Sequence, residues 1–229
     1  MFDFFDRKAE YLVSEGNLPH WYQPGVTYFI TFRTNDSIPQ GLLRAWHRRR
    51  EDWLRRHNID PADRRWKAQL QEHPDWEQEY HRLFSKEFMA YLDRGYGKCV
   101  LRQPHLAKLV ADTLRHFDGE RYHLGDLVIM PNHVHLLCCL VGATKLEAQC
   151  TSWKQFSGTA IHRALGRRGR FWQVESFDHL VRGPDAFQQF QTYIADNPKK
   201  ARLREGEYLH IPLQLAIAKS PTISKIWKR

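Results

Sequence analysis

The chain of 229 residues has only four cysteines, Cys99, Cys138, Cys139 and Cys150, with no C-x-x-C spacing among them. That pattern disfavours both a disulfide framework and a zinc knuckle. Long apolar runs are also missing: no stretch approaches the roughly 18 uninterrupted apolar residues of a membrane span, and "MFDFFDRKAEYLVSEG" carries charges every few residues. The expectation is a cytoplasmic protein without a membrane partner. There is no internal repeat, no low-complexity tract and no G-x-x-x-x-G-K phosphate loop. Acidic residues are in deficit, with 26 Asp and Glu against 35 Lys and Arg, a net charge of +9 that leaves thirteen histidines uncounted. Excess positive charge attracts phosphates through counterion release, and aromatic rings, including eight tryptophans, can stack on unpaired bases. A solvated basic surface over a tryptophan-rich core fits the same composition.

Val26 to Arg33, "VTYFITFR", is rich in aromatic and β-branched residues and reads as a strand. Gln40 to Asp93 then has a helical character. Leu42, Leu43, Trp46, Trp53 and Leu54 fall at helical spacing, Asp60 and Pro61 look like an N-cap and first turn, and Trp76, Tyr80, Leu83, Phe84, Phe88 and Tyr91 mark a third helix. This segment reads as a helical insertion with solvated Arg-rich faces. Cys99 to Leu101 suggests a short strand, and Leu106, Leu109, Val110, Leu114 and Phe117 share one helical face. "RYHLGDLVIM" and "HVHLLCCLV" are strand-like runs separated by Pro131-Asn132. A helix over Lys145 to Leu165 directs Leu146, Cys150, Trp153, Phe156 and Ile161 inward, and "GRRGRFWQVESFDHLVR" looks irregular. The last helix enters at Pro184-Asp185 and is expected to close at Asn197 before Pro198. One domain over residues 1–229, with a basic tail from about Pro212, accommodates these elements. Their order predicts an α/β (α+β) sandwich, an antiparallel sheet with packed helices.

Within "VIMPNHVHLLCCL", His133 and His135 alternate along a strand and so share a face. Two like imidazoles in an apolar setting call for hydrogen bonds, a metal or a wet edge, because an unpartnered buried polar group costs about 1–3 kcal/mol. The metallo-β-lactamase and cupin continuations of H-x-H are absent. On the last helix Phe187, Phe190 and Ile194 form the apolar stripe. At about 100° per residue, Tyr193 lies roughly 60° to one side of Phe190 and Asn197 about 20° away. Tyr193 and Asn197, at i and i+4, thus sit together beside the face that meets the sheet. Packing requires neither there, although a half-buried tyrosine and a helix-capping asparagine would fit as well.

Taken together, "MPNHVHLL" and "YIADNPKKA" resemble the IS200-like single-tyrosine transposases of the HUH endonuclease superfamily, in particular the branch associated with repetitive extragenic palindromes. "LPHWYQPGVTYFITFR", "GRFWQVESFDHLVR" and "NPKKARL" stand in the same order, so the resemblance spans about Leu18 to Leu203. It implies a ferredoxin-like or RRM-like antiparallel sheet with helices mainly on one side and the histidines on a central strand. His133 and His135 would be metal ligands, Tyr193 the nucleophile and Asn197 the third ligand, where other members of the family carry Gln or an acidic group. That departure favours a monomer over the swapped-helix dimer.

Two imidazoles and an amide oxygen would suit Mg²⁺ or Mn²⁺, and the expected product is a 5′-phosphotyrosine with a free 3′-hydroxyl. Arg167, Arg168, Arg170 and Trp172 before the last helix, and Lys199, Lys200, Arg202 and Arg204 after the nucleophile, are candidates for holding single-stranded or hairpin DNA. Two further readings stay open: a domesticated nucleic-acid-binding protein without turnover, and a hydrolytic metallophosphodiesterase with water as nucleophile.

Overall fold

A computed structural model describes residues 2–6, 9, 12–13, 21–63 and 65–213; most of the tail expected from about Pro212 lies outside the described residues. Short strands β1 (Leu12–Val13) and β2 (Trp21–Tyr22) pair with each other. The main sheet holds β3 (Thr27–Arg33), β4 (Tyr122–Ile129), β5 (His133–Leu140), β6 (Phe177–Leu180) and β7 (Leu209–Ile211), in the order β6-β3-β5-β4-β7. Every neighbouring pair is antiparallel, so the expected mixed α/β fold with an antiparallel sheet is present. The histidine strand β5 is central and wholly buried, which accounts for its continuous apolar run.

β4 and β5 form a hairpin whose tight turn is Pro131-Asn132, closed by the Met130 amide donating to the His133 carbonyl. The register breaks between Leu124 and Leu127. Gly125 lies at this irregularity, where an added Cβ would come within 2.8 Å of Leu137 Cβ; only glycine lets the two strands approach there.

Alternation along the strands divides the sheet into two finished faces. Tyr28, Ile30, Phe32, Leu127, Ile129, Val134, Leu136 and Cys138 pack against α5 (Pro104–Arg115) and α6 (Leu146–Leu165). Phe29, Val128 and Leu137 point the opposite way, toward α7 (Pro184–Lys200) and its Phe187, Phe190 and Ile194. Helices therefore lie on both sides, not mainly on one.

Between β3 and α5 the segment 40–93 is helical, with α1 (Gln40–Arg56), α2 (Trp66–Gln71), α3 (Pro74–Tyr80), a π-helical turn at His81–Ser85 and α4 (Lys86–Asp93). Trp46, Trp53, Leu54, Trp66, Leu70, Tyr80, Phe84, Tyr91 and Leu92 give it a hydrophobic cluster of its own.

Local expectations are corrected at several points. Asp60 does not cap a helix: its carboxylate accepts from the Ala62 amide in a turn, and α2 begins only at Trp66. Cys99 has a left-handed φ of 49° and Val100–Arg102 is a 3₁₀ turn, so no strand forms there. On α6 Ser157 and Gly158 take the inward positions, against Trp172, while Phe156 is exposed. The segment before α7 contributes β6 as an edge strand on β3. Finally, α7 continues through Pro198 to Lys200. Pro198 supplies no amide to the Ile194 carbonyl, so the helix continues for two residues at the loss of one internal bond.

Candidate active site

β5, α4 and α7 bring one group of polar side chains together under the sheet. His133 and His135 are 1% and 0% exposed, with ring centroids 4.6 Å apart. Tyr193 packs edge-on to His135 at 5.2 Å and to Phe29 at 5.7 Å. One helical turn further along α7, Asn197 is fully buried. Tyr193 and Asn197 thus face the two histidines within a single chain, and Asn197 lies inside the helix instead of capping it.

The outer nitrogens of both imidazoles are already employed. Asn132, itself 1% exposed, donates from Nδ2 to the Tyr96 carbonyl at 2.9 Å and the Leu92 carbonyl at 3.5 Å. Those carbonyls can only accept, so Asn132 presents Oδ1 to His133 Nδ1, 2.7 Å away. His133 Nδ1 must therefore carry the proton, which leaves a lone pair on Nε2. His135 Nδ1 is 2.7 Å from Thr31 Oγ1, a hydroxyl that can donate or accept. Burial pushes the His133 imidazole down to about 3, with Asn197 opposing the shift. Burial, then the neighbouring His133, holds His135 well below its ordinary value. Both rings are neutral at pH 7.

On the inner side, His133 Nε2, His135 Nε2, Tyr193 Oη, both polar atoms of the Asn197 amide and Asp93 Oδ1 are buried with no partner at hydrogen-bond distance. Asp93 Oδ1 lies 4.0 Å from His133 Nε2. Burial raises the Asp93 carboxyl to about 6, against the pull of Asn197 and Lys200. Burial likewise lifts the Tyr193 phenol above its usual range, with the Asp93 charge adding to it and Asn197 opposing it. The Lys200 ammonium stands 5.3 Å from the Tyr193 ring centroid.

Each orphaned group costs about 1–3 kcal/mol, and these converge instead of scattering. Among the described residues no three His, Cys, Asp or Glu side chains form a metal cluster on their own. The donor set for a hard divalent cation becomes adequate once the Asn197 amide oxygen joins the two imidazole nitrogens. The residues present therefore fit Mg²⁺ or Mn²⁺.

Of the candidate DNA contacts, Lys200 belongs to the site. Trp172 does not present its ring for stacking: it is 3% exposed, lies edge-on to Phe32, and donates from Nε1 to Ser157 Oγ at 2.9 Å. Its indole is held by the core because residues 171–173 pair with the end of β3 at Arg33–Asn35. Arg167, Arg168, Arg170, Lys199, Arg202 and Arg204 are exposed. The sequence reading gave no role to Thr31, Asn132 or Asp93. Asn132 had a signal, since it directly precedes the H-x-H, whereas Asp93 had none.

Fold and site together define a mixed α/β protein with an H-x-H on a central antiparallel strand and a Tyr-x-x-x-Asn helix packed over it. The structure is similar to the solved structure of a REP-associated tyrosine transposase bound to a REP hairpin, with a TM-score of 0.41 and 15% identity over 79% of this chain and 71% of that one. That protein is of the kind the two sequence motifs resemble. No family model and no curated protein matches the chain.

Proposed function

We propose that the protein is a metal-dependent enzyme that nicks and rejoins single-stranded or hairpin DNA through a covalent bond to Tyr193. The observation that carries this reading is the convergence of His133 Nε2, His135 Nε2, Asn197 and Tyr193 Oη, all buried and unpartnered, within one chain. A divalent ion held by the two imidazoles and the Asn197 amide would polarise a non-bridging oxygen of the scissile phosphate and stabilise the charge of the transition state. The chain's own part is geometric and electrostatic. Asn132 and Thr31 fix the imidazole rings from outside the site. Phe29 and His135 hold the Tyr193 ring, so its hydroxyl is positioned before DNA arrives.

In the reaction Tyr193 Oη loses its proton and bonds to phosphorus, and the bond from phosphorus to the 3′-oxygen breaks. That oxygen takes up a proton and leaves as a free 3′-hydroxyl. The phosphodiester is conserved in the phosphotyrosine, so attack by another 3′-hydroxyl restores DNA and frees the phenol without ATP. Asn197, one turn along the helix, opposes the rise in the Tyr193 pKa that burial imposes. The exposed arginines and lysines around α7 supply sequence-independent contacts to the backbone.

The test is a denaturing gel of the full chain with a labelled hairpin oligonucleotide and Mg²⁺ or Mn²⁺. A covalent adduct should form, and should vanish in Tyr193→Phe and in EDTA. An adduct or cleavage product that persists in Tyr193→Phe overturns the proposal and favours water as nucleophile. Binding without cleavage under either metal favours a DNA-binding protein without turnover.

A further inference from the structure

Asp93 is the last residue of α4 and so the end of the helical insertion. Its Oδ1 is buried and unpartnered, although the side chain as a whole is 27% exposed. The 4.0 Å from Oδ1 to His133 Nε2 is too long for a hydrogen bond. It lies within the span of about 3–4.2 Å separating two donors that share one ion through bonds of about 2.1 Å. Asp93, His133 and His135 as they stand form no metal cluster, so the carboxylate would have to swing in as the ion binds. We propose that Asp93 is a fourth protein ligand of the divalent ion, so that the insertion completes the active site. This inference rests on the reading above that His133, His135 and Asn197 hold such an ion.

Three observations support it. First, the other donors facing this point are neutral, so a carboxylate here has only Lys200 acting on it as a positive charge. A half-buried anion facing unpaired polar atoms is unfavourable until a cation arrives. Second, a lone carboxylate in a set of two imidazoles and an amide gives a hard cation the anionic oxygen it prefers. Third, the backbone is built to deliver Asp93. The same Asn132 side chain that orients His133 also binds the carbonyls of Leu92 and Tyr96, on either side of Asp93.

Beyond α4, the chain is pinned again where the Lys98 amide donates to Asp36 Oδ2 at 2.9 Å. Gly97, with φ +89°, passes so close that an added Cβ would lie 2.6 Å from the Asp36 carbonyl oxygen. Asn132 therefore acts as a positioning residue for two ligands at once, one on the hairpin and one on the insertion.

The experiment is a Mn²⁺ titration of the full chain without DNA, reading free Mn²⁺ by electron paramagnetic resonance, for wild type, Asp93→Asn and Asp93→Ser. Melting temperatures are taken in EDTA and in Mn²⁺. Wild type should bind one equivalent and both variants at least tenfold more weakly. In EDTA both variants should melt no lower than wild type, because an unpaired carboxylate has been removed, and Mn²⁺ should raise their melting temperatures less. Unchanged Mn²⁺ affinity in both variants overturns the role of Asp93 and leaves the three-ligand site standing, whatever their stability. Failure of the wild type to bind Mn²⁺ overturns the metal reading itself.

Discussion

The two faces of the five-stranded sheet come from alternate residues of the same strands, yet they are finished differently. Under α5 and α6 the polar groups of the large aromatic side chains are paired off, and the buried α6 atoms that lack a partner, Gln149 Nε2 and the two ring nitrogens of His162, stand thirteen residues apart along the helix. Trp153 Nε1 donates to Tyr122 Oη at 3.0 Å, Tyr122 Oη donates to the Leu114 carbonyl at 2.8 Å, and Trp172 is tied to Ser157. Under α7, the groups that point away from the surrounding structure stay unpaired: His133 and His135 use their outer nitrogens and leave the inner ones open. A core built for stability closes its hydrogen bonds. Orphaned atoms of compatible chemistry that converge on one point instead mark a place kept for an occupant.

The largest effect that would sharpen this contrast is chemical. Tyr193→Phe should lower covalent adduct formation on a hairpin oligonucleotide by at least ~10³-fold while its melting temperature in EDTA does not fall, since an orphaned hydroxyl is lost. A parallel loss of adduct and of fold would instead mark the tyrosine as structural.

Stability separates the faces next. Trp153→Ala removes a large buried ring and the donor to Tyr122, and should cost about 3–5 kcal/mol in urea unfolding. Asn197→Leu, equally buried but unpaired, should leave metal-free stability unchanged or raised, and abolish Mn²⁺ binding. Equal destabilisation by the two substitutions would erase the distinction.

Acid provides a third probe. The buried imidazoles titrate below their unfolded value of 6.5, so the unfolded chain takes up protons first as the pH falls. The stability they contribute is complete above 6.5 and drains away toward about 3, the value for His133. By pH 5 that amounts to about 2 kcal/mol for His133 alone. Asp93, held up at about 6, acts in the opposite sense between about 6 and 4, so metal-free Asp93→Asn should lose stability more steeply than wild type over that interval. Melting curves from pH 7 to 4 in EDTA check both signs.

The smallest effect belongs to the surface. Arg170→Ala should weaken hairpin binding only a few-fold and reduce the salt slope by about 1, whereas Trp172→Phe should alter stability before it alters DNA affinity. A large, salt-independent loss in Arg170→Ala would show a specific contact instead of a diffuse one.

Much of this architecture was legible along the chain. The helical character of the stretch from Gln40 to Asp93 follows from its apolar spacing, and the hairpin from two apolar runs around Pro131-Asn132. Tyr193 and Asn197 were placed beside His133 and His135 because a helix has one apolar stripe and that stripe must meet the sheet. Errors arose where a local preference met a tertiary demand. Pro198 was expected to stop α7, yet the helix runs on for two residues with Asn197 and Pro198 buried against its surroundings. Trp172 looked like a stacking platform among arginines, but a short stretch of pairing to β3 turns it into the core. Phe156 has the composition of a core residue and lies on the wet side of α6, because close packing at Ser157 and Gly158 sets the rotation of that helix.

Alternation and helical periodicity are properties of neighbours in the chain, so the sequence alone determined which side chains share a face and that two histidines, a tyrosine and an asparagine could meet. Which nitrogen of His133 carries the proton depends on Asn132 being held by carbonyls of the distant Leu92 and Tyr96. The approach of Asp93 to His133 likewise depends on how the insertion's cluster seats α4 against the hairpin. Those contacts join residues about forty positions apart, and no periodicity encodes them. They exist only when two separately packed hydrophobic clusters settle against each other and fix the distance between them.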